Sequence, residues 1–360
     1  MKTTTLSLNR EAYLRFLAET LEQDSLESVR RHLAVLDQAL AEPPGALPQL
    51  FAITEPEAAV DLRPDILRAE LKRISKAHTL NRARHYLRQL QAAACRVRTT
   101  GINDINLCRW KEYDEVITDS LWLVDRRDNS GAHLGWYWGN FIPQIPRQLM
   151  LRYTRRGDWV LDPFAGSGTT LIECRRLGRH GIGVELNPET AARAADLVQR
   201  AENPYGVQTP IFTGNSAAFD FAGTVKKLGI DRVQLVLLHP PYHNIIRFDN
   251  DPRNLCNAPD VERFLDLFGR VLDGAGRVLE DGRFLAVVIG DRYARGEWIP
   301  LGFYCMQTVQ KRGYLLKSII VKNFEETRGK RRQKELWRYR ALAGGFYVFK
   351  HEYILLFQKR

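Results

Sequence analysis

The sequence predicts an α/β protein, a doubly wound parallel sheet with helices on both faces, preceded by an N-terminal helical region. Three observations carry this. From about residue 158 short apolar runs alternate with helical stretches, the pattern of strands joined by crossover helices. A glycine-rich turn sits where the first of these strands should pass into a helix, the usual place for ligand chemistry in such sheets. Before that, residues 1–100 show apolar spacings of three and four instead of two, which marks helices.

In the N-terminal region, Leu14, Leu17 and Leu21 line one helix face, and Leu26, Val29, Leu33, Leu36 and Leu40 line another. Asn9 and Ser25 are the expected N-caps, and Pro43, Pro44, Gly45 and Pro48 break the second helix. A further helical run is expected from about Pro64 to about Ala94. Between Asp65 and Arg98 nine Lys or Arg face two acidic residues. Such a stripe is either a solvated face or a phosphate-facing one. Residues 101–157 hold Trp110, Trp122, Trp136 and Trp138. Clustered tryptophans usually form core, and a minority line a pocket for a flat ligand. The expected strands are 159–161, 181–185, 210–213, 233–238, 284–289 and 314–321, and a last apolar run is Phe346–Phe357. The expected helices are 168–177, 188–201, 216–228, 260–279 and 300–312.

Composition narrows the class. Of 360 residues, 44% are hydrophobic and 26% charged, which excludes disordered and collagen-like chains. The N-terminus lacks the apolar core of a signal peptide and no run is long enough for a membrane span, so no membrane partner and a cytoplasmic location are expected. The five cysteines (95, 108, 174, 256, 305) form no CxxC. No metal site is expected, and the thiols are expected to be reduced and buried. The formal net charge of +11 favours a polyanionic partner.

The first motif is Val160-Leu161-Asp162-Pro163-Phe164-Ala165-Gly166-Ser167-Gly168-Thr169-Thr170. Its glycines permit a tight turn and a close backbone approach to a ligand, and the helix behind it adds free N–H groups. Glu185 falls at the end of the next strand, in Gly183-Val184-Glu185-Leu186-Asn187, where a carboxylate can accept hydrogen bonds from both hydroxyls of a ribose. The second motif is Leu237-Leu238-His239-Pro240-Pro241-Tyr242, at the end of the fourth expected strand. Two prolines stiffen this loop.

Together these segments resemble the S-adenosylmethionine-dependent DNA amino-methyltransferases, which modify adenine N6 or cytosine N4. The resemblance covers about residues 119–360 and implies a Rossmann-like methyltransferase sheet with a reversed last strand. Two domains follow: a helical region 1–100, for DNA recognition or dimerisation, and a methyltransferase domain 101–360 with a basic insertion at 322–345. It further implies that Phe141 and Pro143, in Asn140-Phe141-Ile142-Pro143, join Asp162, Pro163, Phe164, Gly166, Gly168, Thr169, Glu185 and Asn187 around S-adenosylmethionine. Asn215 and Ser216 match the adenine-contacting position, where the family usually has Asp. The family's catalytic loop is (Asp/Asn/Ser)-Pro-Pro-(Tyr/Phe), matched here by His239, Pro240, Pro241 and Tyr242.

In that loop the first side chain and the first proline's carbonyl hold the two N–H groups of an exocyclic amine, and the aromatic ring stacks on an extruded base. His239 departs from the pattern, yet a neutral imidazole also offers one acceptor. With an unperturbed pKa of about 6.5, His239 should lose that acceptor, and activity, as pH falls through its pKa. From Lys322 to Gly345, eight basic residues outnumber three acidic ones and are interleaved with Trp337 and Tyr339. Arg328, Lys330, Arg331, Arg332 and Lys334 are the expected DNA-phosphate contacts.

The expected activity is therefore methyl transfer to a flipped base in double-stranded DNA, with cytosine N4 preferred because position 239 is not Asp. Adenine N6, a guanine amine in RNA, and a non-catalytic cofactor-binding subunit are the alternatives. A homodimer, a cognate restriction enzyme and other defence proteins are compatible partners.

Overall fold

Residues 5–42, 45–324 and 334–360 are described by a computed structural model. The chain divides into two units, Met1–Thr100 with Ile105–Glu115, and Gly101–Asp104 with Val116–Arg360. The chain thus crosses back once after residue 100.

The first unit contains β1 (Leu6–Asn9), α1 (Arg10–Leu21), α2 (Leu26–Ala41), β2 (Ala59–Leu62), α3 (Pro64–Ser75) and α4 (Leu80–Cys95). Asn9 caps α1 and Ser25 caps α2, as expected. Leu17, Leu33, Leu36, Leu71, Ile74 and Leu87 are buried in one core. Two readings need correction. The region is not all helical, because β1 and β2 pair antiparallel; four-residue strands are too short to show a period. The run from Pro64 to Ala94 is two helices, because the Thr79 side chain accepts from Arg82 N and starts α4 afresh.

The second unit contains β3 (Leu121–Trp122), α5 (Gln144–Tyr153), β4 (Trp159–Asp162), α6 (Thr169–Leu177), β5 (His180–Glu185), α7 (Pro188–Arg200), β6 (Ile211–Thr213), α8 (Phe221–Lys227) and β7 (Val233–Leu238). It continues with α9 (Val261–Val278), β8 (Leu279–Ile289), β9 (Arg292–Ala294), β10 (Glu297–Ile299), α10 (Leu301–Gln310), β11 (Leu315–Asn323), α11 (Lys334–Gly344) and β12 (His351–Gln358). The main sheet runs β3-β11-β12-β8-β7-β4-β5-β6. β6, β5, β4, β7 and β8 are parallel, and β12 is antiparallel to both β8 and β11. This is the doubly wound sheet with a reversed last strand.

Side chains alternate between two layers, as strand geometry requires. On β7, Val236 and Leu238 enter a core with Phe264 and Phe268 of α9. Leu235 and Leu237 enter the opposite core with Ile145 and Leu149 of α5. Burial on both faces explains why β7 reads as an apolar run from Leu235 to Leu238. Strand order reverses at β4, which pairs β5 on one side and β7 on the other. The carboxyl ends of β4 and β7 are therefore neighbours at the switch point, where such sheets bind ligands.

Several elements differ from expectation. The helix expected over 216–228 shrinks to α8, because Asp220 accepts from Gly223 N and caps it late. The β9–β10 hairpin and α5 lie outside the expected elements. The last strand begins at His351 instead of Phe346. Among the cysteines, Cys174, Cys256 and Cys305 are buried but Cys95 is exposed. No helix among the described residues is long and apolar enough to cross a membrane.

Candidate active site

The loops that follow β4 and β7 open into one cavity of about 1490 Å³. Pro163, Phe164 and Gly166 line it from the first loop, and His239, Pro240, Pro241 and Tyr242 from the second. Phe141, Glu185, Asn215 and Ser216 line it as well.

The glycine turn is held by backbone donors meeting carboxylates. Gly166 adopts φ +50°, and its N–H donates to Glu185 Oε2 at 3.0 Å. Asn187 N donates to Oε1 of the same carboxylate at 3.0 Å. Each Glu185 oxygen keeps a lone pair for a further donor. Burial pushes the Glu185 pKa up, opposed by these backbone donors. Ser216 Oγ donates to Pro163 O at 2.6 Å and ties the β6 end to the turn.

Five of the expected cofactor residues do not line the cavity and instead build its frame. Asp162 is buried, and its carboxylate accepts from Phe164 N and Thr170 Oγ1. Gly168 adopts φ +79°, and a Cβ there would lie 2.7 Å from Val198 Cγ2, so it serves the packing of α6 on α7. Thr169 donates to Asn140 Oδ1 at 2.8 Å, joining the turn to the segment before α5. Pro143 starts α5. Asn187 caps α7, its Oδ1 accepting from Glu189 N and Thr190 N.

At the second loop, the His239 ring packs on Phe141 with centroids 4.8 Å apart. His239 Nε2 lies 3.2 Å from Tyr242 Oη, which donates to Glu352 Oε2 at 2.8 Å. Glu352 Oε1 accepts from Lys322 Nζ at 2.9 Å. His239 is half-buried at the cavity wall, and burial lowers its pKa to about 4. Glu352 opposes that shift and Lys322 adds to it. Burial and Glu352 push Tyr242 well above its ordinary value. The Tyr242 ring lies against Gly290, where a Cβ would meet it at 2.9 Å.

Two loops cover this centre. Tyr137 stacks on Phe248 with centroids 5.4 Å apart and planes 6° apart. A Cβ on Gly166 would stand 3.2 Å from the Tyr137 ring. The loop after Tyr242 is folded around Asp249, which accepts from Asp251 N and the Asn254 and Asn257 amides. Trp138 lines the cavity, whereas Trp122 is core. Asp291 lines the cavity but is engaged, accepting from Gly302 N and Trp298 Nε1.

Sequence reasoning missed Tyr137, Phe248 and Glu352. Glu352 could have been found, as a lone carboxylate inside an apolar strand run. Lys322 needs correction: counted among the basic residues of the 322–345 insertion, it is buried and paired with Glu352. Arg328, Lys330, Arg331 and Arg332 lie outside the described residues, as does the side chain of Lys334 at the start of α11. Among the described residues no group of His, Cys, Asp and Glu is arranged to hold a metal ion.

A family model described as DNA methylase matches residues 74–196, which take in the glycine turn and Glu185 and reach upstream of the quoted motifs. The type II methyltransferase M.XycI of Xanthomonas campestris pv. cyanopsidis is 41% identical over 80 residues, 22% of this chain and 25% of that protein. M.Cfr9I of Citrobacter freundii is 38% identical over 80 residues, again 22% and 25%. M.SmaI of Serratia marcescens is 36% identical over 81 residues, 22% and 26%. The matches thus span about a quarter of the length of these relatives. In its motifs and in these matches the chain is similar to the S-adenosylmethionine-dependent DNA amino-methyltransferases, over the part of its length that they cover.

Proposed function

We propose that this protein methylates an exocyclic amine of a base in double-stranded DNA, with cytosine N4 preferred over adenine N6. The observation that carries the reading is the shared cavity at the β4 and β7 tips, with the glycine turn and Glu185 on one side and His239 on the other. The match of residues 74–196 to a family model described as DNA methylase supports DNA as the substrate.

S-adenosylmethionine, when bound, supplies an electrophilic methyl group. Glu185 has free lone pairs for ribose hydroxyls, and Phe164, Asn215 and Ser216 offer a wall for the adenine. Gly166 lets the backbone come close where a side chain would not fit. His239 and the Pro240 carbonyl would hold the two amine hydrogens, leaving the nitrogen lone pair directed at the methyl. The two prolines keep that geometry fixed, which is what a displacement needs. An amine lone pair delocalised into a base ring is a poor nucleophile, so this orientation matters more than acid or base strength. Cytosine N4 is preferred because the carboxylate associated with adenine is absent at position 239.

The test is mass spectrometry of nucleosides from DNA of cells expressing the chain, compared with His239→Ala. N4-methylcytosine is expected from the parent and not from the variant. N6-methyladenine would retain the reaction and correct the base. No methylated base, with intact cofactor binding, would mean a non-catalytic subunit. His239→Ala should still bind S-adenosylmethionine by calorimetry, because the Glu185 side of the cavity is untouched.

A further inference from the structure

We infer that Lys322, Glu352 and Tyr242 form a positioning relay that sets which nitrogen of His239 carries its proton, leaving Nδ1 as the bare acceptor for the substrate amine. The inference rests on the amine reading above and assigns a role to residues that reading does not use.

The order of hydrogen bonds follows from counting protons. Lys322 and Glu352 face each other as a directly opposed pair on β11 and β12. Both side chains are nearly buried, 6% and 11% exposed, and Nζ lies 2.9 Å from Oε1. With an ammonium on Oε1, Glu352 has no proton to give. Its Oε2 lies 2.8 Å from Tyr242 Oη, so the single phenol proton must point at Glu352. The other approach, with the phenol proton turned to His239, would leave two lone-pair oxygens facing each other in a buried place. Tyr242 Oη therefore accepts from His239, 3.2 Å away, and the atom that donates is Nε2–H. A neutral imidazole has one donor and one acceptor, so Nδ1 is left with its lone pair.

Side-chain positions make the arrangement purposeful. His239 and Glu352 both line the cavity, and Phe141 packs on the imidazole and limits its rotation. The carboxylate expected at position 239 is an acceptor at either oxygen and needs no such control. A histidine does, because in the wrong tautomer it presents N–H to N–H. During transfer the amine nitrogen forms its bond to the methyl carbon as the sulfur–carbon bond breaks, its electron pair staying on sulfur. The surplus proton leaves the nitrogen for Nδ1 and then passes to water. While Nδ1 is protonated, the Nε2–H still has Tyr242 and, through it, the Glu352 charge.

Glu352→Gln tests the relay because it reverses the hydrogen bonds without removing atoms. Lys322 will hold the amide oxygen, so the amide nitrogen donates to Tyr242 Oη. The phenol proton then turns to His239 Nε2, and the imidazole proton moves to Nδ1. The full chain, labelled with ¹⁵N-histidine, is read by two-bond ¹H–¹⁵N correlation, with the His239 signals assigned by their loss in His239→Gln. Nε2–H is expected in the parent and Nδ1–H in Glu352→Gln. Turnover should fall by on the order of 10²–10⁴-fold, with affinity for S-adenosylmethionine unchanged by calorimetry.

In a Tyr242→Phe background, Glu352→Gln should cost little further turnover, since the link is already cut. An Nδ1–H parent, or a Glu352→Gln variant that keeps Nε2–H, overturns the relay without any assay of activity. A parent with Nε2–H that methylates no DNA overturns the amine reading instead and leaves the hydrogen-bond order standing.

Discussion

Asp162 is a carboxylate placed where its charge is costly, and replacing it should stabilise the protein at neutral pH. It is 1% exposed at the end of β4. Burial raises its pKa from 3.8 to about 6, against the pull of its Thr170 and Phe164 donors, and Glu185 raises it further. A folded-state pKa above the unfolded one means that this group's stability is fully present below about 3.8 and is lost as pH rises through about 6. A shift of roughly two units corresponds to about 3 kcal/mol, of which roughly half arises between pH 5 and 8.

Asp162→Asn carries no charge at any pH, so it lacks that loss. Its amide can keep the bond from Phe164 N and donate to Thr170 Oγ1, whose own proton must then find a new partner at about 1 kcal/mol. The variant should be more stable than the parent by about 2 kcal/mol at pH 8, with the gain shrinking by pH 5. Urea unfolding at the two pH values, followed by tryptophan fluorescence, gives both numbers. Parallel pH dependences in parent and variant would show that Asp162 is not titrating in this range and refute the reasoning.

Other perturbations test other joints of the structure. Gly168→Ala meets Val198 at 2.7 Å from a backbone at φ +79°, so it should cost about 2–4 kcal/mol from strain and overpacking, measured by the same unfolding assay. Gly166→Val places a branched side chain at φ +50° against Tyr137 and in the space proposed for the donor; calorimetry should find no S-adenosylmethionine binding, and retained binding would move the donor site elsewhere. With burial holding His239 near a pKa of about 4, kcat/KM should show no limb from this group between pH 5.5 and 8. The acid limb expected from the sequence thus moves well below the unperturbed value. A midpoint near 6.5 would mean that His239 is solvated.

How much of this was legible in the sequence depends on the kind of signal. The parallel strands were readable because a strand buried on both faces is an unbroken apolar run bounded by turn residues. The glycine turn and the His239 loop were readable because each is a contiguous segment at a strand end. Contact across the sheet was not readable. Glu352 and Lys322 stand 30 residues apart and meet only because β11 and β12 pair in a particular register. Counting charges put Lys322 with the cations of the basic 322–345 insertion, because composition cannot tell a buried ion pair from an exposed one. Asp162, Gly168 and Thr169 look like ligand contacts in a motif, yet their partners are Thr170, Val198 and Asn140. A motif marks what the loop needs, which includes the residues that hold it in shape.

We propose that one cavity takes the methyl donor on the Glu185 side and a base on the His239 side. A crystal structure of the full chain with S-adenosylhomocysteine tests it most directly. Ribose hydroxyls are expected on Glu185, adenine beside Asn215 and the sulfur facing His239. A nucleoside bound away from Glu185, or a sulfur turned from His239 by an intervening Tyr137, would contradict it.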